Sequence, residues 1–301
     1  VLIQELVEER QARQQEAIAE VSAIWAGTQI INGPLIAIPY WVHSVSADGK
    51  PVRTRSKAYF LPDKLNITAA VAPEKRYRGI YQVMVYTSGL ELTGNFGELK
   101  FNELNITPQD IIWQEASVHV EVTDVRGLKE EVIFKWGDQQ TELVPGKFPD
   151  EQFRQSLSGA LALDSQAATA GPAFSLSFKL KGSQELMFVP LGKKTTVTMN
   201  STWPNPSFMG NYLPDERAIQ DSGFTAKWNV LSLNRSYPQQ WAARTYDVSS
   251  SAFGVELMVP VDSYHKSFRS VKYAILCIVL TFTAFFLIEL IYARSLHAFQ
   301  Y

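Results

Sequence analysis

Residues that could carry acid–base or metal chemistry are few in this sequence, and they are scattered. The 301 residues include four histidines, at His43, His119, His265 and His297. None of them lies at a ligand-like spacing from another histidine, a cysteine or an acidic pair. His119 falls on the outward face of a predicted strand, and the last two flank an apolar run where polar residues are expected anyway. The sequence therefore predicts no metal site, no cofactor and no catalytic histidine.

Neighbouring acidic residues offer no better prospect of catalysis. Asp215-Glu216 and Glu130-Glu131 are two such pairs, but adjacent side chains on a strand or a helix point apart. We therefore interpret both pairs as solvated charges. The sequence also lacks a G-x-S-x-G nucleophile elbow and a glycine-rich phosphate loop. These observations favour a protein that is not an enzyme and has no small-molecule substrate.

The densest unusual stretch, Thr202–Leu213, reads TWPNPSFMGNYL. Its prolines fix an extended, rigid backbone, and its aromatic residues supply apolar surface. The stretch could be a contact platform for a partner or a cell-wall polymer, or a proline-stiffened crossover packed on the β domain. We favour the crossover and keep the platform as a candidate interaction surface. The residues of that surface are Trp203, Pro204, Pro206, Phe208 and Tyr212.

An uncharged apolar run, Tyr273–Ile288, lies near the end of the sequence. Together with the residues up to Ala293 it makes 21 residues with one charged side chain. A helix of that length spans roughly 31 Å, close to the ~30 Å hydrocarbon core of a bilayer. A buried core helix is the alternative, but such a helix would be apolar on every face. We therefore predict a transmembrane helix over 269–294, with the start of the following loop over 295–301.

The one charged residue among these 21 is Glu289, directly after the apolar run. A carboxylate inside a membrane is a candidate functional group, because its burial in lipid is costly. Glu289 is five residues from Arg294, however, where a side chain near the interface can reach water. Glu289 is therefore a candidate for an ion or proton path, with an interfacial position as the alternative.

The first residues of the sequence predict a helix. Residues 1–26 contain no glycine or proline, and their apolar residues gather at the two ends, leaving Glu8–Glu16 polar. A helix that is polar all round in its middle is typical of a solvent-exposed stalk. The apolar start would suit the tail of a membrane helix, and an amphipathic helix lying on the domain is equally supported. We predict a juxtamembrane helix over 1–28, ended by Gly27 and by Asn32-Gly33-Pro34.

From Leu35 to Pro260 the apolar residues mostly alternate with polar ones, as in half-buried strands. Val132–Trp136, a Gly-Asp turn and Thr141–Val144 predict a hairpin. Strand-like segments in succession favour a mainly β fold, with antiparallel sheets packed as a sandwich over 29–265. Two short helices are weakly indicated. The alternating segments are Val118–Val122, Leu176–Lys181, Thr196–Asn200 and Phe224–Val230, and the helix candidates are Pro149–Leu157 and Pro214–Gln220.

Composition bounds the remaining alternatives. The net charge is −2, so no basic excess points to nucleic acid. The only cysteine, Cys277, sits in the apolar run, so the β domain has no disulfide. Small residues with glycine and proline over 145–173 could divide that domain in two, or form a long loop of one domain. Both ends of the sequence look cut, which predicts a segment of a longer protein.

Four segments in this order resemble the CreD family of bacterial inner-membrane proteins: Asn32–Pro39, Ser201–Phe208, Ser222–Trp228 and Lys272–Phe286. The similarity covers essentially the whole sequence. It implies a membrane helix before Val1, a large periplasmic domain, and further membrane helices that begin with the predicted one. It also implies a role in envelope integrity, control by a Cre-type two-component system, and effects on colicin tolerance and the β-lactam response. It implies no catalytic residues.

The charges beside the apolar run oppose this topology. Lys266, Arg269 and Lys272 precede the run and only Arg294 follows it, so the positive-inside rule alone would place the β domain in the cytoplasm. Because long domains translocate regardless of such charges, we expect a periplasmic domain. Its expected partners are the lipid bilayer and envelope or membrane proteins. A transporter or sensor subunit whose β domain gates further helices is one alternative, and an enzyme on cell-wall or lipid substrates is another.

Overall fold

The computed structural model describes residues 2–146, 156–258, 273, 276–287 and 291. Helix α1 spans Leu2–Trp25, and the short α2 spans Ser165–Ala170. The strands are β1 Gln29–Val45, β2 Pro51–Phe60, β3 Lys64–Arg78, β4 Tyr81–Asn95, β5 Ser117–Val122, β6 Val132–Trp136, β7 Gln139–Gly146, β8 Ser156–Ala160, β9 Ala173–Ser183, β10 Glu185–Phe188, β11 Lys194–Ser201, β12 Pro206–Gly210, β13 Glu216–Gln220, β14 Gly223–Leu231, β15 Gln240–Ala242 and β16 Phe253–Leu257.

The strands form one continuous sheet. Its order is β12-β16-β10-β1-β5-β8-β7-β6-β9-β4-β3-β11-β14-β13, with β2 paired to β1 and β15 paired to β2. Most neighbours are antiparallel, but β1 pairs with β10 and β3 pairs with β11 in parallel. The mainly β fold is confirmed, but the sheet is mixed rather than the antiparallel sandwich that we expected. Alternation along a strand shows which face is buried but not which distant strand lies beside it.

The two ends of this sheet pack face to face around an aromatic core. The ring of Phe208 on β12 lies 5.8 Å from that of Trp228 on β14, and Trp228 lies 5.7 Å from Phe253 on β16. Trp228 and Phe253 are fully buried. Burial of such side chains stabilises the fold by roughly 1.5–3 kcal/mol each. The core thus lies between the two halves of a sheet that folds over on itself.

The alternating segments that predicted strands form β5, β9, β11 and β14, and the predicted hairpin is β6–β7. The helix candidate Pro214–Gln220 is wrong, because Glu216–Gln220 is β13, paired with β14. Part of the other candidate, 149–155, lies outside the described residues, and Leu157 is in β8. Short segments carry too few turns for the helical period to be told from the strand period.

The helix predicted at the start of the sequence is confirmed as α1, but it ends at Trp25, before Asn32-Gly33-Pro34, which we expected to help end it. These residues lie within β1, where the pairing with β5 shifts its register between Asn32 and Leu35. Gly33 has φ +140°, and a Cβ atom there would lie 2.9 Å from the carbonyl oxygen of His119. Glycine therefore lets β1 pass this close to β5 at the bulge.

The predicted transmembrane helix over 269–294 is described only in part. Residues 273, 276–287 and 291 are helical, and the rest of the range lies outside the described residues. Within the described portion, no helix has the length and the apolar character to cross a membrane. The predicted loop over 295–301 also lies outside the described residues.

By its contacts the chain divides into two units, Ile18–Val259 and, separately, Val1–Ala17 with Pro260–Tyr301. All strands belong to the first unit, which we call the β domain. The division that we expected near 145–173 includes residues outside the described ranges and stays a prediction.

Candidate functional site

The aromatic residues of the candidate interaction surface pack into the β domain. Trp203 is buried, and its indole N–H donates to the carbonyl oxygens of Asn205 (3.1 Å) and Met258 (3.0 Å). Phe208 is half-buried against the core. Tyr212, also half-buried, donates its hydroxyl to the Asn234 carbonyl oxygen at 2.7 Å. Pro204 and Pro206 are half-buried as well. These contacts match the proline-stiffened crossover, and a role as a platform stays a prediction.

Our expectation that His119 points outward was wrong. Its side chain is buried, and its Nε2 lies 2.9 Å from the hydroxyl oxygen of Ser117. Burial, together with the nearby Lys57 charge, lowers the pKa of His119 to about 3. β5 lies inside the sheet with both of its faces covered, so the polar residue in the alternating pattern is not at the surface. A histidine with this pKa stays neutral at about pH 7 and is a weak base.

The other candidate groups are at the surface or outside the described residues. His43 is exposed and hydrogen-bonds Asp110 at 2.8 Å. Asp215 accepts from the Asn229 backbone N–H at 2.7 Å, whereas its neighbour Glu216 pairs with Lys227 at 3.7 Å. The two members of this acidic pair thus have separate partners. His265, His297 and Glu289 lie outside the described residues.

The structure instead gathers buried polar groups where helix α1 meets the β domain. The backbone carbonyl of Tyr86 accepts from the Trp25 indole N–H at 3.2 Å, and the hydroxyls of Ser22 and Ser183 are 2.7 Å apart. The Trp25 ring also has two cations close to it, Lys181 at 4.4 Å and Arg76 at 5.0 Å. Such contacts are worth about 0.5–1 kcal/mol at exposed sites and more where water is excluded.

Gln29 is the most buried polar residue of this region. Its side-chain N–H groups donate to the carbonyl oxygens of Lys181 (2.9 Å) and Asp124 (3.0 Å). Its side-chain oxygen accepts from the backbone N–H of Asp124 at 3.1 Å. Gln29 thus joins β1 to the residues after β5 and to β9 with no polar atom left over, as a buried amide requires.

Asp124 and Arg126 tie the end of the helix to the same place. The Asp124 carboxylate accepts from the backbone N–H of Gly27 at 3.1 Å and from the Arg126 guanidinium at 2.6 and 2.9 Å. Arg126 also donates to the Ala23 carbonyl oxygen at 2.9 Å. The hydrogen bond from Arg126 lowers the pKa of Asp124 below its usual value. The last carbonyls of a helix favour a cation, so Arg126 closes α1 onto the domain.

The outgoing chain is held at the same point. The Ser183 N–H donates to the Gly27 carbonyl oxygen at 3.1 Å, and the next residue, Gln184, accepts from the Leu257 N–H at 2.8 Å. The following carbonyl, of Met258, accepts from Trp203 as described above. Two consecutive residues therefore hold the two segments: Ser183 bonds the incoming segment, and Gln184 bonds the outgoing one. We call the set Ser22, Trp25, Gln29, Asp124, Arg126, Ser183, Gln184, Trp203 and Leu257 the junction.

Two carboxylates face each other beside the junction. Glu185 on β10 is directly opposite Glu256 on β16. Burial, and the charge of Glu256, raise the pKa of Glu185 above its usual value. Like charges opposite each other in a sheet are destabilising, so the outgoing strand is held less tightly at neutral pH than its backbone pairing alone would allow.

Sequence reasoning missed the polar residues of the junction. Gln29 and Asp124 are 95 residues apart, and no spacing in the sequence brings them together. The only available signal was a glutamine placed directly between the end of the helix and the first strand. Trp203, which was singled out as part of an aromatic stretch, belongs to the junction through its N–H group.

Few features of the domain suggest a reaction. In the described ranges, no group of three or more His, Cys, Asp and Glu residues could hold a metal ion. An open cleft of about 460 Å³ lies over the middle of β3 and the adjacent ends of β11, β13 and β14, and none of its lining residues is ionisable. Its polar lining includes Asn200, Thr202, Gln220 and Thr225.

The fold and the junction define a mainly β domain that is held at one point to a helical lead-in and to its own outgoing strand. A family model described as "Inner membrane protein CreD" matches residues 1–301. The inner membrane protein CreD of Escherichia coli (strain K12) is 31% identical over 306 residues, which cover 100% of this chain and 67% of that protein. The chain therefore belongs to the CreD family of inner membrane proteins, which confirms the resemblance in the four sequence segments.

Proposed function

We propose that this protein supports the integrity of the bacterial envelope without catalysing a reaction, and that its β domain makes contacts on the periplasmic side of the inner membrane. The observation that carries the proposal is the junction. Because the incoming helix and the outgoing strand are fixed to Ser183 and Gln184, a displacement of the β domain is passed to both connections. A domain held in this way suits a protein that links envelope contacts to the membrane.

The contacts of the buried polar side chains support a role without catalysis. The buried side chains Gln29 and Asp124 are fully used in holding segments together, and His119 is kept neutral by its burial. The open cleft lacks an acid, a base or a charged group among its lining residues. A catalytic group needs a pKa near the working pH and access to a substrate, and these residues lack one or both.

A periplasmic position of the domain is part of the proposal. Membership of an inner-membrane family supports attachment to that membrane. The basic residues before the apolar run oppose this orientation, but a domain of more than about 60 residues crosses regardless of flanking charge. The expected partners are therefore envelope or membrane proteins on the periplasmic side, together with the lipid bilayer itself.

The test is complementation of a strain that lacks this protein. Asp124→Ala removes the acceptor for Gly27 and Arg126, and we expect it to leave the cells leaky to a periplasmic reporter and sensitive to bile salts, although the protein is present at normal amounts. Asp221→Ala removes an exposed carboxylate in the turn between β13 and β14 and is the matched control, which should complement fully. A strain whose envelope is unaffected by loss of the whole protein would overturn the proposal.

A second candidate function is a transporter or sensor subunit whose β domain gates further membrane helices. The same junction favours it, because a signal received by the domain would reach both connections. Glu289→Gln discriminates the two functions. Loss of function with unchanged expression would favour a path through the membrane, whereas full complementation would favour envelope contacts alone.

A further inference from the structure

The hairpin of β1 and β2 extends beyond the strands beside it. The two strands pair with each other over ten residue pairs, from Ile36 with Phe60 to Val45 with Pro51. The last backbone bridge from β1 to a segment other than β2 joins Tyr40 to Ile111, and beyond it only the His43 side chain reaches that segment, at Asp110. β15 pairs with β2 only at residues 58–60. Among the described residues, Trp41–Val45 and Pro51–Arg55 therefore pair only with one another. We call Trp41–Arg55 the arm.

The arm lies far from the junction along the same strand. β1 begins at Gln29 and ends at Val45, so its 17 residues cover roughly 50 Å at about 3.3 Å per residue. Whatever the arm contacts is thus separated from the junction by the length of the domain. An element that binds at one end of a continuous strand, with the chain connections at the other end, suits contact with a distant partner.

The arm leaves backbone and apolar groups exposed. An unaccompanied two-stranded hairpin is marginally stable in water, and the outer edges of its strands present unpaired N–H and C=O groups. Two valines add apolar surface, with Val45 72% exposed and Val52 37% exposed. An extended polypeptide satisfies such edges by pairing as an additional strand, which a lipid or a glycan cannot do.

The arm is also basic, although the chain as a whole is acidic. It carries Lys50, Arg53 and Arg55 against Asp48, so its net charge is 3 − 1 = +2 within a chain of −2. The nearest carboxylates at its base are already engaged, Asp110 with His43 and Glu115 with Arg55. Lys50 and Arg53 have no ion pair with a carboxylate within the described ranges. The charge therefore favours an acidic partner and disfavours pairing of two arms from two copies.

The Arg53 side chain is ordered by stacking on Trp41, in a position where it can bind an acidic partner. Its guanidinium carbon lies 4.6 Å from the centre of the Trp41 ring, and that of Arg55 lies 5.6 Å from the same ring. Stacking on the aromatic face orders the arginine while its donor groups remain exposed, and the planar guanidinium matches a carboxylate with two hydrogen bonds. Trp and Arg are also the residue types that most often dominate binding energy at protein interfaces.

We propose that the arm docks an acidic, extended segment of another envelope protein, which pairs with the open strand edge while Lys50 and Arg53 bind its carboxylates. This inference rests on the proposed function, since it names the surface and the kind of partner through which the β domain makes its envelope contacts.

Photo-crosslinking in living cells tests the docking. The full-length protein carries a photoreactive amino acid in place of Thr54, which is exposed on the arm, or in place of Ala218, which is exposed on β13. We expect Thr54 to give a crosslink to another protein at a peptide with more Asp and Glu than Lys and Arg, and Ala218 to give none. A crosslink only to lipid or glycan, to a second copy of the chain, or to a neutral or basic peptide would overturn the proposal, as would no crosslink at all.

Charge reversal on the same protein supplies the second readout. The double variant Arg53→Glu with Lys50→Glu replaces two cations that attract the partner's carboxylates by two anions that repel them. It should lower the crosslink yield at Thr54 by about tenfold or more. Arg217→Glu reverses an exposed arginine on β13 and should leave the yield unchanged. Equal yields in the two variants would contradict the inference. The proposed function is tested by a different experiment. It fails if cells that lack the whole protein keep an intact envelope.

Discussion

At the scale of single residues, the polar side chains of the β domain serve to join segments. Gln29, Asp124 and Arg126 use their donors and acceptors on backbone groups from three parts of the chain. A buried amide or carboxylate is tolerated only where each polar atom has a partner. The spacing of residues in the sequence predicted no catalytic or metal site, and that stays a prediction. It could not show which polar residues would be buried, because their partners lie about a hundred residues away.

Gln29→Leu tests the most buried of these side chains. The change leaves the Asp124 N–H and the carbonyls of Asp124 and Lys181 without their partner, and buried unsatisfied groups cost about 1–3 kcal/mol each. We expect a loss of about 2–5 kcal/mol in the free energy of unfolding, measured by denaturant titration. Gln139→Leu removes an exposed glutamine with one hydrogen bond and should change stability by less than about 0.5 kcal/mol. Equal effects would contradict the role given to Gln29.

Glu185→Gln tests the carboxylate pair beside the junction. Burial and the Glu256 charge raise the pKa of Glu185 in the folded state, so its ionised form is disfavoured there, and stability falls as the pH rises from the pKa of the unfolded state to the raised pKa of the folded state. Removing one charge of a cross-strand pair gains roughly 0.2–1 kcal/mol. The variant should therefore unfold about 1–3 °C higher at about pH 7.

The same difference should vanish once the glutamate is protonated in both states, below its unfolded pKa of about 4.3. Thermal unfolding between about pH 3 and pH 8 would show this convergence. Glu91→Gln, on the exposed face of β4, is the control and should show no such pH dependence. A benefit of Glu185→Gln that grew as the pH fell would contradict the assignment.

At the scale of elements, the alternation of apolar and polar residues predicted where strands lie but not which strands pair with each other. β5, β9, β11, β14 and the β6–β7 hairpin lie where period-two patterns placed them, because one face of each is buried. The parallel pairs β1–β10 and β3–β11 are set by contacts between segments far apart in the chain, and no local pattern encodes them. Strand β5 is covered on both faces, which is why His119 was wrongly expected at the surface.

Trp203→Phe tests how the outgoing strand is held. Phenylalanine keeps most of the buried ring but cannot donate to the carbonyl of Met258, so we expect a loss of about 1 kcal/mol in stability. Hydrogen exchange at the Leu257 amide, which bonds Gln184, should become faster. Trp113→Phe is the control, because the indole N–H of Trp113 has no hydrogen bond within the described ranges. Unchanged exchange at Leu257 would show that Trp203 does not hold the strand.

At the scale of the whole molecule, the sequence supplied the mainly β character, the helix at the start and the family. It could not supply the mixed sheet or the junction, because both depend on contacts between distant segments. The β domain has its two connections at one place and the basic arm at the far end of β1. We therefore propose that envelope contacts at the arm and attachment at the junction are separate tasks of the two ends of β1.

Labelling of Asp138→Cys in intact cells tests the side of the membrane. Asp138 is exposed in the β6–β7 turn, and the native cysteine is first replaced by Cys277→Ser. If the domain faces the periplasm, as we propose, a membrane-impermeant maleimide should label the protein without lysis. Labelling only after the cells are opened would contradict the periplasmic position and would agree with the charges that flank the apolar run.

The coupling of the β domain to its connections is tested most directly by breaking the junction and closing it again. Arg126→Ala removes the bond from the domain to the Ala23 carbonyl, and we expect it to leave the envelope of a complemented strain leaky. Ser22 and Ser183 have hydroxyl oxygens 2.7 Å apart, so cysteines at both positions should form a disulfide in the oxidising periplasm. All variants carry Cys277→Ser.

The decisive measurement is leakage of a periplasmic reporter from cells that carry Arg126→Ala with and without the Ser22→Cys and Ser183→Cys pair. If the junction couples the β domain to its two connections, and this coupling is needed for an intact envelope, the disulfide should restore the envelope. A reductant should then abolish the rescue. A disulfide that forms completely and leaves the cells as leaky as Arg126→Ala alone would contradict this function of the junction.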